Sequence, residues 1–304
     1  MTTMVSVVIA CRDAEAALPV QLDALSRQEC PLPWQVVISD HGSRDGTVAV
    51  ARGYAHRLPG LLVVDSSQRP NSSQRPGAAH SRNVGVNATQ APLLVFCDAD
   101  GEAAPGWLAE MVSALQRDPF VAGRCESGRS EPGRPDDSES RPARSRPPSS
   151  GLQTSAFGPG LPHAGAGNLG LTRELFLAVG GFDADLNGLE DTDLCWRIQL
   201  NGTPLMFCPT AVMQIRLVRS SPGAKWRQGR SCGSAVAQLE HRYPAPAADP
   251  KSASPEPARP RPRPGFGDLP WWLGWHFGHR WWRAVAAPVL AQPLGSPHRQ
   301  PGVR

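Results

Sequence analysis

Apolar residues in the first hundred positions come as short unbroken runs separated by polar turns. Val5-Ser-Val-Val-Ile-Ala10 has the length of a strand, and so unbroken a run fits a strand buried on both faces. Leu18, Leu22 and Leu25 follow at i, i+4 and i+7, which is one face of a helix. Pro19 is tolerated only in a helix's first turn, so this helix is expected to start near Ala17. Gln35-Val-Val-Ile-Ser39 predicts a second buried strand. The polar turn Asp40–Thr47 leads into a helix from about Thr47 to Tyr54, and Leu61–Val64 and Leu93–Cys97 predict the third and fourth strands. Strands alternating with helices make a mostly parallel, Rossmann-like α/β sheet with helices on its flanks. Ligands of such sheets bind beyond the carboxyl ends of the strands. Asp40 and Asp98 each stand just past such an end, so the pattern alone places both in one crevice.

Two later stretches break the pattern. Residues 126–150 are Ser, Pro, Arg, Glu and Asp with almost no apolar side chain, the composition of a disordered insertion. Residues 244–265 read as a proline-rich linker. The expected organisation is therefore a globular body in two halves, 1–125 and 151–243, followed by the linker and a Trp- and Arg-rich tail, 266–304. A direct duplication, SSQRP-N-SSQRP-G, occupies residues 66–77 and predicts a lengthened surface loop. With 30 Gly and 32 Pro in 304 residues, disordered stretches beside the core are expected. No Gly-X-Y period is present, which excludes collagen, and the prolines exclude a coiled coil. No apolar run reaches the roughly 18 residues of a membrane-spanning helix. The run Val5–Ala10 is soon followed by Arg12 and Asp13, so no cleavable signal peptide is expected. The seven cysteines are scattered, odd in number and without a CxxC pair. They suggest neither a zinc site nor a disulfide framework, and a reducing cytoplasm is the expected compartment.

Charge is uneven. Residues 201–304 carry 14 basic and 4 acidic side chains, net +10, whereas the first 200 residues carry a net −6. An acidic body with a basic tail points to an anionic partner for the tail, membrane or nucleic acid, unless the arginines are only a solvated face. Five of the nine tryptophans, Trp271, Trp272, Trp275, Trp281 and Trp282, fall in that tail, interleaved with His276, His279, Arg280 and Arg283. Such a stripe suits a membrane interface, or else a short helix docking its aromatic rings onto the body.

Candidate chemistry lies in two acidic clusters. Asp98-Ala-Asp100 follows a buried strand, and residues at i and i+2 of a strand share a face. Paired hard oxygens suit Mg²⁺ or Mn²⁺, which in turn suit a diphosphate; the alternative is a polar strand end with a helix cap. Glu190-Asp-Thr-Asp193 opens a helix predicted from about Asp191 to Leu200 and closed by Gly202. Acids in a first turn ordinarily cap the helix and meet its dipole, but a carboxylate held there over a cleft can also act as a general base. Gly165-Ala-Gly-Asn-Leu-Gly170 spells GxGxxG. A dinucleotide site is nevertheless rejected, because two prolines interrupt Phe157–Pro162, where the preceding strand would have to be. Thr172 instead predicts the cap of a helix running through Phe176 to Gly180. Lone histidines such as His163 and His241 are expected to be surface or core residues rather than ligands.

Four motifs, in order and at family spacing, resemble the family 2 inverting glycosyltransferases of GT-A fold. They are VSVVIACRDAEAALPVQLDAL; Ser39-Asp-His-Gly-Ser-Arg-Asp-Gly-Thr47; Ala79-His-Ser-Arg-Asn-Val-Gly85 with Val95-Phe-Cys-Asp-Ala-Asp100; and Gly167-Asn-Leu, Gly180-Gly-Phe-Asp183 and Leu189-Glu-Asp-Thr-Asp-Leu-Cys-Trp-Arg197. The match covers about residues 4–125 and 160–240. The resemblance implies a nucleotide-sugar donor, transfer to an acceptor hydroxyl with inversion, and a Mn²⁺ or Mg²⁺ ion. It implies that Asp40 bonds the nucleobase and that Arg82 and Asn83 help position the nucleotide sugar. Asp98 would face the ribose or sugar and share the metal with Asp100. Asp191 would be the catalytic base, with Glu190 supporting the acceptor, while Asp45 caps the helix at Thr47. Two departures stand out: His41 replaces the commoner second acid of the base-binding turn, and Gln214 and Arg216 stand where many relatives carry His.

The donor sugar, the base and the acceptor are not encoded in these motifs. The basic tail suits a lipid-linked or cell-envelope glycan as acceptor and a peripheral position at the cytoplasmic face of a membrane; no nucleic acid is expected as partner. The alternatives are an inactive binding module of the same fold and a sugar-phosphate nucleotidyltransferase. The latter should carry a glycine-rich loop with Arg and Lys after the first strand, and Cys11-Arg-Asp-Ala-Glu15 is not one.

Overall fold

The computed structural model describes residues 2–69, 77–127, 152–186, 188–215, 221–244 and 268–286. Most of the duplicated loop and of the 126–150 insertion, Arg216, and the proline-rich segment beyond Pro244 lie outside the described residues. The chain divides into two compact units, Met1–Arg219 and Ser220–Arg304.

The first unit is an eight-stranded sheet with helices on both faces. Its elements are β1 (Val5–Cys11), α1 (Leu18–Ser26), β2 (Trp34–Asp40), α2 (Thr47–Gly53), β3 (Leu61–Asp65), α3 (Ala78–Asn87), β4 (Leu93–Cys97), β5 (Gly101–Ala103), α4 (Trp107–Leu115), β6 (Phe120–Ser127), β7 (Asn168–Thr172), α5 (Arg173–Ala178), α6 (Glu190–Leu200) and β8 (Met206–Ile215). The strand order is β3-β2-β1-β4-β7-β6-β8-β5. β3, β2, β1 and β4 are mutually parallel, so their carboxyl ends share one edge. β7 runs antiparallel to β4 and β6, β8 is parallel to β6, and β5 is antiparallel to β8. The four strands and the helices α1, α2, α5 and α6 match the expected positions to within a residue or two. β6 extends to Ser127, so the first two residues of the expected insertion are strand.

The unbroken apolar runs have a direct cause. Val5, Val7 and Ile9 of β1 pack with α1 and α4, while Val8 packs on the opposite face with Ala79 and Val86 of α3. The same alternation divides Val95 and Cys97 of β4 from Leu94 and Phe96. Strands buried on both faces have no polar side to show. Gly85 lets α3 approach β1 closely: a Cβ there would stand 2.7 Å from Val8 Cγ1.

Register is less regular in the second half. β6 and β8 slip between Gly123 and Arg124, where Gly123 pairs with Cys208 but Arg124 with Val212. Pro209 falls inside this bulge, a place where a missing N–H is tolerated. Asn168 mends the ladder: its Nδ2 donates to Arg124 O (3.0 Å) and Ala211 O (2.9 Å), and its Oδ1 accepts from Trp107 Nε1 (2.8 Å).

The second unit contains α7 (Pro222–Arg242), α8 (Leu269–Trp281) and a π-helical turn (Trp282–Ala286). The sequence reading grouped residues up to 243 with the body, but the first unit closes at Arg219 and α7 packs with α8. The alternative of a helix docking its aromatic rings onto the body is not what is seen: α8 packs with α7 through glycines and backbone. Gly229 and Gly233 of α7 lie against the backbone of Trp271 and Trp275, and Gly274 and Gly278 of α8 against Trp226 and Arg230. These contacts advance together along both helices, so the two run parallel.

Candidate active site

Two acidic clusters meet at the carboxyl edge of the sheet, joined by one arginine. Arg82 projects from α3, and its side chain is only 7% exposed. Its Nη2 donates to Asp98 Oδ1 (2.9 Å) and its Nη1 to Glu190 Oε1 (2.8 Å). The partners lie 16 and 108 residues away in the chain. A planar guanidinium can hold two carboxylates in one geometry, as an ammonium cannot. The guanidinium carbon also stands 5.4 Å from the centre of the Phe182 ring, and Nε is buried without a hydrogen-bond partner among the described residues. Burial works against the arginine's charge, but Asp98, Glu190 and Asp191 outweigh it and hold the group above its usual range.

Glu190 and Asp191 open α6. The preceding residue, Leu189, is forced to φ +57, ψ +20, a left-handed conformation that costs a branched residue about 1–2 kcal/mol. That turn sets the direction in which the two acids leave the helix. Asp191 Oδ2 accepts from Ala166 N (3.2 Å), and Oδ1 accepts from Thr192 N (2.7 Å). Burial raises the Asp191 carboxyl above the ordinary range, opposed by the charge of Arg82 and by those two N–H groups. Burial, then the neighbouring charge of Asp191, raises Glu190 as well, with Arg82 pulling it back. Burial thus favours the neutral form of both acids, while the charge of Arg82 favours their ionised form.

The GxGxxG stretch serves this edge rather than a dinucleotide. Cys97 pairs with Asn168, so the chain entering β7 passes beside Asp98. A Cβ on Gly167 would stand 2.6 Å from Asp98 Oδ2, and one on Gly165 would stand 3.5 Å from Asp191 Oδ2. Gly170 lies instead under Met111 and Leu115 of α4. The sequence reading gave these glycines no part in the site. Their signal, a short-spaced glycine pair facing two acids, needed the antiparallel register of β7 to be legible.

Asp40 ends β2, buried, in register with Cys11. Its Oδ2 accepts from Gly42 N and Ser43 N (both 3.1 Å), and its Oδ1 accepts from Ser43 Oγ. β2 and β4 flank β1, so Asp40 and Asp98 stand about 10 Å apart across the sheet edge at ordinary strand spacing. His41 beside it is half-buried, its pKa lowered by burial and by Arg12, with Nδ1 lacking a partner among the described residues. Asp45 lies one residue before Gly46, the N-cap of α2, and its Oδ1 accepts from Thr47 N (3.1 Å) in the helix's first turn.

Asn83 holds a backbone turn in place. Its Nδ2 donates to Phe182 O (2.8 Å) and its Oδ1 accepts from Phe182 N (3.0 Å), so the amide pins the Gly180-Gly181-Phe182 turn. Arg197 clamps the same turn through Val179 O (2.6 Å) and Gly181 O (2.7 Å), itself held by buried Asp193 (2.7 Å). The fourth motif is therefore a structural frame around Glu190 and Asp191. His163 belongs to the frame too, as a core residue: Nδ1 faces Thr192 Oγ1 (3.3 Å) and Nε2 faces Ser155 Oγ (2.9 Å). All seven cysteines are free. Burial pushes Cys11 and Cys195 up to about 12, so neither is a ready nucleophile.

Asp100 is exposed in the turn after β4, two residues beyond Asp98. Among the described residues no group of three or more His, Cys, Asp or Glu could hold a metal ion. Mg²⁺-type sites need no such cage, since one or two carboxylates plus substrate phosphates and water suffice. Asp98 keeps Oδ2 outside its bond to Arg82, and glycine at 167 leaves room beside that oxygen. The donor set fits a site of this open kind.

Comparison with known proteins agrees with this geometry. The model of "Glycosyl transferase family 2" matches residues 6–180. The succinoglycan biosynthesis protein ExoA of Rhizobium meliloti is 28% identical over 196 residues, covering 63% of this chain and 57% of that protein. The chain spans well under two thirds of the length of the curated relatives it matches. Among solved structures, the mannosyltransferase PcManGT from Pyrobaculum calidifontis, in complex with GDP-Man and Mn²⁺, superposes with a TM-score of 0.54 at 22% identity, covering 97% of this chain and 77% of that one. A fragment of TarS from S. aureus in complex with UDP-GlcNAc gives 0.52 at 15% identity, covering 78% and 68%.

Proposed function

The chain belongs to glycosyl transferase family 2 and has the GT-A fold, and from that premise we propose that it moves a sugar from a nucleoside-diphosphate sugar to an acceptor hydroxyl, with inversion, using Asp191 as general base. The observation that carries the reading is Arg82 gathering Asp98 and Glu190 beside Asp191 at the carboxyl edge of the sheet. Relatives of the fold are known in complex with UDP-GlcNAc and GDP-Man, which supports the class of donor.

An acceptor hydroxyl is a poor nucleophile at neutral pH. Asp191 takes its proton as the oxygen attacks the anomeric carbon from the face opposite the diphosphate. The new C–O bond forms as the bond to the diphosphate breaks, the diphosphate leaves with the electron pair, and one displacement inverts the centre. A base raised by burial matches this task better than an ordinary carboxylate, and a well-placed one contributes about 10²–10⁴-fold. Glu190, fixed by Arg82, borders the acceptor side. Asp40 lies on the nucleobase side, with Asp98 between the two. Asp98 and Asp100 would hold Mn²⁺ or Mg²⁺, whose charge offsets that gathering on the diphosphate.

A panel of UDP-, GDP- and dTDP-sugars with Mn²⁺, read first by thermal melting and then by release of nucleoside diphosphate, tests the reading. A ligand that prefers the native state raises the melting temperature. One nucleotide class is expected to do so and to turn over when an acceptor is supplied. Melting unchanged by every nucleotide, with no release, would contradict the proposal; tight binding without turnover across acceptors would favour the inactive binding module.

A further inference from the structure

The second unit carries a surface that the transfer chemistry does not use. α8 turns Gly274 and Gly278 into α7 and leaves Leu269, Leu273, Phe277 and Trp281 on one outer stripe at i, i+4, i+8 and i+12, with exposures of 38–51%. Trp272 adds to it at 38%, and Trp226 of α7 joins it, its ring 6.1 Å from that of Phe277. Large apolar side chains so exposed and so aligned are a surface made for something to cover. The border of the stripe is cationic. Arg230 lies 5.5 Å over the Trp226 ring, and Arg227, Arg280 and Arg283 are exposed. His276, Phe277, Arg280, Trp281 and Ala284 line an open hollow on the same face.

We propose that this face of α7 and α8 binds an anionic lipid surface, with the Leu, Phe and Trp stripe in the boundary between headgroups and acyl chains and the arginines on lipid phosphates. Charge selects this occupant. The described residues of the unit carry Lys225, Arg227, Arg230, Arg242, Arg280 and Arg283 against Glu240 and Asp268 alone. Both acids are paired with basic groups of the same unit: Asp268 with Lys225 (3.8 Å), and Glu240 with His279 (2.9 Å) and Arg283 (3.9 Å). A second copy docking by the same face would set arginine against arginine, whereas an anionic bilayer attracts each basic group by about 1 kcal/mol. Among the described residues no helix is long and apolar enough to cross a membrane, so the helices lie in the plane of the interface. Their contact through four glycines, backbone against backbone, is the way helices associate where apolar surroundings supply little drive of their own.

Flotation of the full chain with vesicles tests this, independently of any catalytic role. Phosphatidylcholine vesicles are compared with vesicles containing about a third phosphatidylglycerol, at low and high salt. The chain is expected to float with the anionic vesicles at low salt and to stay behind with the neutral ones. Two variants change exposed positions only: Leu273→Gln/Phe277→Gln/Trp281→Gln and Arg280→Gln/Arg283→Gln. Each is expected to lower vesicle binding about tenfold or more, with helicity by circular dichroism unchanged. If the triple variant loses helicity, the arginine pair alone decides. A chain that floats with neither vesicle, or an arginine variant that floats like the parent, overturns the proposal. A dimer in solution that the triple variant splits, without vesicle binding by the parent, overturns it in favour of a second copy.

Discussion

Arg82 is the side chain on which the acidic site depends. Removing one partner of a buried ion pair leaves the other charge uncompensated, so Arg82→Met is expected to cost about 3–5 kcal/mol in chemical denaturation. The same change withdraws the cation that holds down Glu190 and Asp191, so the acid limb of the pH–rate profile should move to higher pH in any residual activity. Asp191 gives a second test through stability. Burial raises its folded-state carboxyl above the unfolded value, so its contribution to stability is full in acid and is lost as pH rises through the raised value. Asp191→Asn removes that loss. The variant is expected to melt above the parent at neutral pH, the difference closing as pH falls, and melts recorded across pH measure it. Asp98, Glu190 and Asp191 stand out in the sequence through their places after a buried strand and at a helix start together with the family-like motifs around them, since acids at a helix start are by themselves ordinary caps. The bridge through Arg82 was not, because nothing local links it to an acid 108 residues away. Asn83 sits in the same motif as Arg82 yet bonds the Phe182 backbone, a division of labour that only the packing of α3 against that turn reveals.

Between elements, the antiparallel β7 delivers glycine beside Asp98, and Asn168 closes the gap the bulge opens. Gly167→Ala would set a methyl group 2.6 Å from Asp98 Oδ2. It is expected to weaken Mn²⁺-dependent nucleotide binding by calorimetry while leaving the melting temperature nearly unchanged, since the neighbour displaced is a side chain. Asn168→Ala would leave two buried carbonyls and the Trp107 N–H without partners, at a cost of at least about 3 kcal/mol, read as a lower denaturant midpoint. The first four strands were legible because each is an unbroken apolar run with both faces buried. β6 and the first half of β8 were not: Gly123, Arg124 and Pro209 break their pattern at the very bulge that Asn168 repairs. β7 hid inside a glycine-rich string whose literal motif pointed to a different fold.

Over the whole molecule, the motifs carried the family, and the sheet order brings Asp40, Asp98 and the α6 acids to one edge of it. The linker composition separated a tail from a body, but the first unit closes earlier, at Arg219, and the glycines of α7 lie against the backbone of α8. Sequence periodicity shows that a helix has an apolar face; it does not show which partner has the complementary one. The catalytic account turns on a single carboxylate, and the direct measurement is nucleotide affinity and turnover on the same Asp191→Asn preparation. Calorimetry with nucleoside diphosphate and Mn²⁺ should give a Kd close to the parent's, while kcat falls by about 10²–10⁴-fold. An Asp191→Asn variant that transfers sugar at the parent's rate would contradict the account.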